Sequence, residues 1–251
     1  MGLKGPPNLS SVSYLPNCAE VSTYANNYLK LIKQTTLGNK DTIIELPLDT
    51  AIYNEIFYTG NYSPSLTKYI AQFINFSNVD RFIDLGANSG LVTRGIVHQL
   101  NKNLECILVE PFPDLMHAIK TNLSNMENRH FVFKQFALSN LDGEILFCRE
   151  INNCGSGTMN KRLGSITKHN EFTLPSRKAS LFLTEIFAED KKVVIKSDLQ
   201  AHIAEILSMV PELKIRNVLL IICELWSNSE IKLSQVHKFL DKFENEFSFI
   251  F

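Results

Sequence analysis

The chain lacks paired cysteines, an excess of either charge, and any apolar run long enough to cross a membrane. Its five cysteines (Cys18, Cys106, Cys148, Cys154, Cys223) are odd in number and contain no C-x-x-C pair. That argues against a disulfide scaffold and supplies no zinc-ribbon spacing. Cys106 and Cys223 lie inside apolar runs, the usual setting of a small buried hydrophobe. Lys plus Arg number 25 against 26 Asp plus Glu, a formal net charge of −1. Composition therefore offers neither the basic footprint of a nucleic-acid binder nor a polybasic membrane patch. The longest uninterrupted apolar run, Val218 to Cys223, falls far short of the ~20 residues that a spanning helix needs. The first residues carry no apolar signal-peptide core, and Pro6 stands where a myristoylation start after Met1-Gly2 wants Ser or Thr. The expectation is a soluble, cytoplasmic protein with no nucleic-acid or membrane partner.

What is there is 251 residues of ordinary globular makeup, 45% hydrophobic and 20% charged, enough for one large domain with an added arm. Residues 1–17 carry Pro6, Pro7 and Pro16 among Ser and Asn and read as an irregular arm. Val21, Tyr24, Tyr28 and Leu31 mark a first helix, and Thr42 to Leu46 a short strand. Ser63 as N-cap, Pro64 at the first helical position, and Leu66, Tyr69, Ile70 and Phe73 on one face predict a second helix. The chain thus divides into an N-terminal arm and helical extension over 1–77 and a domain over 78–251.

From residue 80 the rhythm becomes strand–helix–strand. Parallel strands are expected over 80–85, 104–109, 130–136, 191–198 and 217–226. Between the first three lie helices marked by Val92, Ile96 and Leu100, then by Leu115, Ile119 and Leu123. The alternation predicts an α/β fold, a mostly parallel central sheet with helices on both faces. A further strand is expected from Glu144 to Cys148, after Asp142-Gly143. Residues 151–170, rich in Asn, Gly, Ser, Lys and Arg, read as a long loop over the sheet edge.

Chemistry concentrates where the first strand ends. Asp84-x-Gly86-Ala87-Asn88-Ser89-Gly90 joins a strand to a helix, where glycine lets the backbone approach a ligand and the helix start supplies free N–H groups. Glu110 ends the next strand, 24 residues after Gly86, a position suited to a ribose diol. Dinucleotide enzymes want G-x-G-x-x-G, but the middle glycine is here Asn88, and the anion at Asp84 repels phosphate. S-adenosylmethionine, with a sulfonium, an amine and an unphosphorylated ribose, suits this charge pattern better than NAD does. Pro111, Phe112 (which could stack on adenine), Gln135 and Ala137 complete the expected cofactor site, with Ala87. Tyr58, Tyr62 and Ser63 precede the glycine strand and are placed to close over the amino-acid end of that ligand.

The stretch from Phe82 to Gly90, with Val109-Glu110-Pro111-Phe112-Pro113, resembles the class I S-adenosylmethionine-dependent methyltransferases, specifically the FkbM-type group. Phe136 to Glu144, Val194 to Ala201 and Cys223-Glu224-Leu225 extend the resemblance over roughly residues 80–226. It implies a Rossmann-like methyltransferase sandwich that uses S-adenosyl-L-methionine to O-methylate a sugar, a glycan precursor or another small hydroxylated metabolite. The family's K-I-D-V-E-G stretch reads Lys196-Ser197-Asp198-Leu199-Gln200-Ala201 here. That departure motivates a second reading, a non-catalytic cofactor-binding or scaffold domain. A nucleotide-dependent oxidoreductase is a third. The family's closing antiparallel strand pair is expected to be incomplete within the 78–251 domain.

An acceptor hydroxyl needs a base. Asp198 ends the fourth strand of the predicted sheet, His202 follows one helical turn later, and Glu224 ends the neighbouring strand, so these three are the catalytic candidates. No metal ligand set is marked by spacing.

Overall fold

The computed structural model describes residues 52, 55–56, 61–126, 129–150, 154–157, 169–187, 189–199 and 217–223. In chain order the elements are α1 (Pro64–Phe76), β1 (Arg81–Leu85), α2 (Leu91–His98), β2 (Glu105–Val109), α3 (Pro113–Leu123) and β3 (His130–Lys134). They continue with β4 (Ala137–Ser139), β5 (Gly143–Glu150), a 3-10 turn (Cys154–Ser156), β6 (His169–Lys178), α4 (Ala179–Ile186), β7 (Val193–Ser197) and β8 (Val218–Cys223).

Five strands form one sheet in the order β3-β2-β1-β7-β8, every pairing parallel. β1 is central and buried along its whole length, which is why it reads as a near-continuous apolar run rather than an alternation. Successive side chains still point to opposite faces. Phe82, Cys106, Leu108 and Val194 pack beneath α1, α2 and α3, with Ile70, Ile74, Ile96 and Ile119. Ile83, Leu85, Ile107 and Ile195 pack against Phe182, Leu183 and Ile186 of α4. The chain leaves β1 towards β2 on one side and has β7 on the other, so the strand order reverses at β1. Crevices in open α/β sheets form outside the carboxyl ends of strands at such a reversal. The fold is therefore the expected α/β sandwich, a parallel sheet with helices on both faces.

Local differences have physical reasons. Ser63 stands before α1 but makes no side-chain cap; its backbone is left-handed (φ 48°) and its N–H donates to Glu55 Oε1 at 3.0 Å. The buried face of α1 is Thr67, Ile70, Ala71 and Ile74, whereas Tyr69 is exposed. The face turns this way because Thr67 lies over Gly95 of α2, where even a Cβ would come within 2.9 Å of its methyl.

β3 ends at Lys134 rather than at 136, and Ala137 opens β4 in a second sheet of order β4-β6-β5. The long loop expected to 170 gives way at His169 to β6, a ten-residue strand antiparallel to β5 and parallel to β4. Its sequence hid it, because it is polar and contains Pro175, which removes a ladder donor and normally demotes a strand. Ser139 and Ser176 join β4 to β6 through a hydrogen bond between hydroxyls 2.6 Å apart, and the hydroxyl that accepts it donates on to Leu141 O. The eight-residue α4 is too short to announce itself by periodicity. Among the described residues, no helix is long and apolar enough to cross a membrane. The expected elements before residue 51 and after 223 lie outside the described residues.

Candidate functional site

The two ends of the central sheet treat buried charge differently. At the amino ends Arg81 is buried and fully engaged, paired with Glu105 and Glu189 and donating to Ile186 O. At the carboxyl ends polar atoms are left over. Asn88 Oδ1, Ser197 Oγ and Asp198 Oδ1 are buried without a hydrogen-bond partner among the described residues. Native interiors rarely leave such atoms unsatisfied, so their clustering at the strand-order reversal locates the candidate site.

The loop from Gly86 to Gly90 is built by three left-handed residues, Gly86 (φ 73°), Asn88 (φ 51°) and Gly90 (φ 76°). Gly86 N and Ala87 N both donate to Val109 O at 3.0 Å, which draws the loop over the end of β2. Gly86 also lies flat against the chain leaving β7. An added Cβ would sit 2.2 Å from Asp198 O, while Asp198 N donates to Leu85 O at 2.9 Å. The glycine is therefore required by packing as well as by φ. Gly86→Ala is expected to lose about 2–4 kcal/mol of stability, from a Cβ at positive φ and from displaced backbone. Urea unfolding measures this, and a loss below about 0.5 kcal/mol would mean that the loop relaxes freely. Behind the loop, Asn122 of α3 donates to Ser89 O at 2.8 Å and its own carbonyl accepts from Arg94.

Glu110 joins this loop to the next. Its carboxylate accepts from Asn88 N at 2.9 Å and from Phe112 N at 3.1 Å. Burial pushes the carboxyl up to about 8, against the N–H groups of Phe112 and Asn88 and the Lys196 ammonium, which pull it down. Between the ordinary carboxyl range and about pH 8, the folded state thus keeps a proton that the unfolded chain has released. The resulting stabilisation is full at the acid end of that window and is lost as pH rises through it, at up to about 1.4 kcal/mol per pH unit. Glu110→Gln should remove this dependence. Parallel stability profiles of the two proteins from pH 5 to 8 would refute it.

Lys196 and Asp84 stand side by side because β1 and β7 pair in that register. Both are buried, with Lys196 Nζ 3.0 Å from Asp84 Oδ1. Lys196 also donates to Gly86 O at 3.0 Å, and Thr93 Oγ1 donates to Asp84 Oδ2 at 2.6 Å. Burial alone lowers the Lys196 ammonium. The carboxylates of Asp84 and Asp198 outweigh it and hold the ammonium above its ordinary value. One cation thus serves two aspartates.

Asp84, Gly86, Ala87, Asn88, Gly90, Glu110 and Asp198 therefore lie together at the carboxyl ends of β1, β2 and β7. Tyr62 also acts electrostatically on Lys196. Phe112 is buried, with Phe147 and Phe172 edge-on at 5.7 and 5.3 Å and the Arg149 guanidinium 4.4 Å from its ring centre. Its ring belongs to an aromatic cluster with Ala137, which is buried there. Pro111 is half-buried and Gln135 is exposed. Tyr58, Gln200, Ala201, His202 and Glu224 lie outside the described residues. The sequence reading gave no role to Lys196, Thr93 or Ser197. A lysine inside the apolar strand Val193–Ser197 was the available signal, since an unpaired charge there would be costly.

No protein-family model and no curated protein matches the chain. Among solved structures, it is similar to a precorrin-6y C5,15-methyltransferase from Geobacter metallireducens, 13% identical over 72% of this chain and 69% of that one, with a TM-score of 0.37. A candidate RNA methyltransferase from Pyrococcus horikoshii matches at 12% identity over 89% and 80%, TM-score 0.36. A coclaurine N-methyltransferase matches at 14% over 50% and 41%, TM-score 0.26. At these identities and scores the matches carry no argument about chemistry. That no family model matches does correct the family expectation: the FkbM-type resemblance is not upheld. Its two leading stretches are the ends of β1 and β2 with the turns that follow them, which a parallel sheet of this order needs there.

Proposed function

We propose that the crevice binds S-adenosylmethionine and that the chain transfers its methyl group to a hydroxyl of a small acceptor, such as a sugar or glycan precursor. The observation that carries this reading is the buried Asp198 oxygen, without a hydrogen-bond partner among the described residues, beside the Lys196–Asp84 pair at the strand-order reversal. The donor set suits a cationic, unphosphorylated nucleoside. Two aspartates stand where a pyrophosphate would meet repulsion, and the leftover acceptors await donors. The bound cofactor supplies an electrophilic methyl group on a sulfonium.

The chain's own residues do the rest. Glu110 takes the ribose hydroxyls, Gly86 and Ala87 give the backbone close approach, and Lys196 fixes the carbonyl of Gly86. Asp198 holds the acceptor hydroxyl and takes its proton as the oxygen attacks in line, so that orientation does most of the catalytic work.

Titration calorimetry with S-adenosylmethionine and with NAD tests the ligand. S-adenosylmethionine is expected to bind and NAD to fail; the opposite order overturns the proposal. Glu110→Ala should weaken binding by about 1–3 kcal/mol, the worth of two hydrogen bonds to the ribose hydroxyls. An unchanged affinity in the folded variant removes Glu110 from the site.

A further inference from the structure

Away from the crevice, the β5–β6 ladder brings together three side chains that the sequence keeps far apart. Its register sets Cys148 opposite Glu171 and Glu150 opposite His169. These residues share one face of the ladder, because alternate residues of a strand point the same way. Phe147 and Phe172, paired one rung before Cys148–Glu171, point to the other face and join the aromatic cluster around Phe112. The ligand atoms of Cys148, His169 and Glu171 all lie within 4.8 Å of one another.

The setting of Cys148 is unlike that of the other described cysteines. Cys106 and Cys223 belong to the apolar clusters on the two faces of the central sheet. Cys148 is 2% exposed yet belongs to none of the apolar clusters. Its rung partner is an exposed carboxylate. A buried thiol beside an imidazole and a carboxylate is an odd way to fill a core and a good way to hold a soft divalent ion.

The geometry points to a divalent-metal site on this face, with zinc as the best-suited ion. Thiolate, imidazole and carboxylate are together the donors that zinc takes, and thiolate excludes magnesium and calcium. The thiolate and carboxylate neutralise the ion's charge, and Glu150 adds negative charge on the same face. Tetrahedral bonds of zinc length separate such donors by about 3.4–3.6 Å, so the three atoms need close in by only about 1 Å. Three protein ligands leave a fourth position for water. The ion would pin the end of the ladder where the chain passes from β5 to β6, whose last rung is Glu150–His169. From that rung the 3-10 turn is tied back by Ser156 Oγ, which accepts from Glu150 N at 2.9 Å. The next residue, Gly157, lies against Phe112, with an added Cβ only 2.5 Å from the ring. The metal would therefore brace the segment that leads onto the aromatic cluster beside Glu110.

Cobalt substitution tests this on the full chain. The metal-stripped protein titrated with Co²⁺ should take up one ion with a near-ultraviolet thiolate-to-cobalt charge-transfer band and the visible bands of a tetrahedral ion, and Zn²⁺ should displace it. Cys148→Ser should abolish the charge-transfer band, while Cys154→Ser should keep it. His169→Gln replaces a half-buried residue and keeps the test decisive should Cys148→Ser fail to fold; it should weaken Zn²⁺ binding by at least about 100-fold. Zn²⁺ should also raise the Tm of the wild type and leave that of His169→Gln unchanged. No charge-transfer band, a band that survives Cys148→Ser, or a Zn²⁺ affinity unmoved by His169→Gln would each overturn the site.

Discussion

Lys196→Met is expected to cost about 3–5 kcal/mol of stability, more than most single substitutions in a domain of this size, because it strands a buried charge. Asp84 is 0% exposed and is paired with Lys196 Nζ at 3.0 Å, the one cation that meets it among the described residues. The Thr93 hydroxyl is a neutral donor and cannot replace that cation. Methionine keeps the length and apolar stem of lysine, so packing changes little and the loss reports the charge. The same substitution frees Gly86 O from its donor, and cofactor binding should weaken with stability. Removing both charges separates the two effects. Lys196→Met combined with Asp84→Asn should recover most of the loss, since replacing a whole buried pair is far less costly than breaking it. Urea unfolding of the two single variants and the double variant measures the coupling directly. A loss below about 1 kcal/mol in Lys196→Met would mean that Asp84 finds another partner or takes up a proton.

How far this arrangement was legible in the sequence depends on whether each interaction is local or set by register. The glycine loop was readable because Gly86, Asn88 and Gly90 need left-handed backbone at one strand–helix junction, a local demand with a local signature. The parallel sheet was readable from the alternation of short apolar strands with amphipathic helices, and Val92, Ile96, Leu115 and Ile119 are buried as their spacing implied. The Asp84–Lys196 pair was not readable, since 112 residues separate the partners and only the pairing of β1 with β7 joins them. Cys148, His169 and Glu171 were hidden in the same way, by a ladder one of whose strands is polar and contains Pro175. Phe112 shows a subtler limit. Its position after Glu110 suggested a base-stacking face, but that ring is already engaged by Arg149, Phe147 and Phe172. Which face of an aromatic is free is a property of the neighbours that the fold brings to it.

Asp198→Asn should lower turnover by about 10²–10⁴-fold while changing S-adenosylmethionine affinity less than Glu110→Ala does. The argument starts from what surrounds this carboxylate. Its backbone is fixed by the bond from Asp198 N to Leu85 O and by the close approach of Gly86, so asparagine inherits the position. One carboxylate oxygen is buried without a hydrogen-bond partner among the described residues, and the Lys196 ammonium that acts on it is held by Asp84. Such an oxygen can receive a hydrogen bond from an acceptor hydroxyl, which one absorbed in structural bonds cannot. Asparagine keeps shape and hydrogen-bonding ability and loses only the charge and the basicity. If Asp198 serves structure alone, the variant should lose about 1 kcal/mol of stability and turn over normally. If it takes the acceptor's proton, stability and cofactor binding should hold while turnover falls. Release of S-adenosylhomocysteine, screened over hydroxylated acceptors with wild type and variant side by side, reads the difference. Turnover that survives at the wild-type rate in a folded, cofactor-binding Asp198→Asn protein would move the base elsewhere, with Glu224 the next residue to replace.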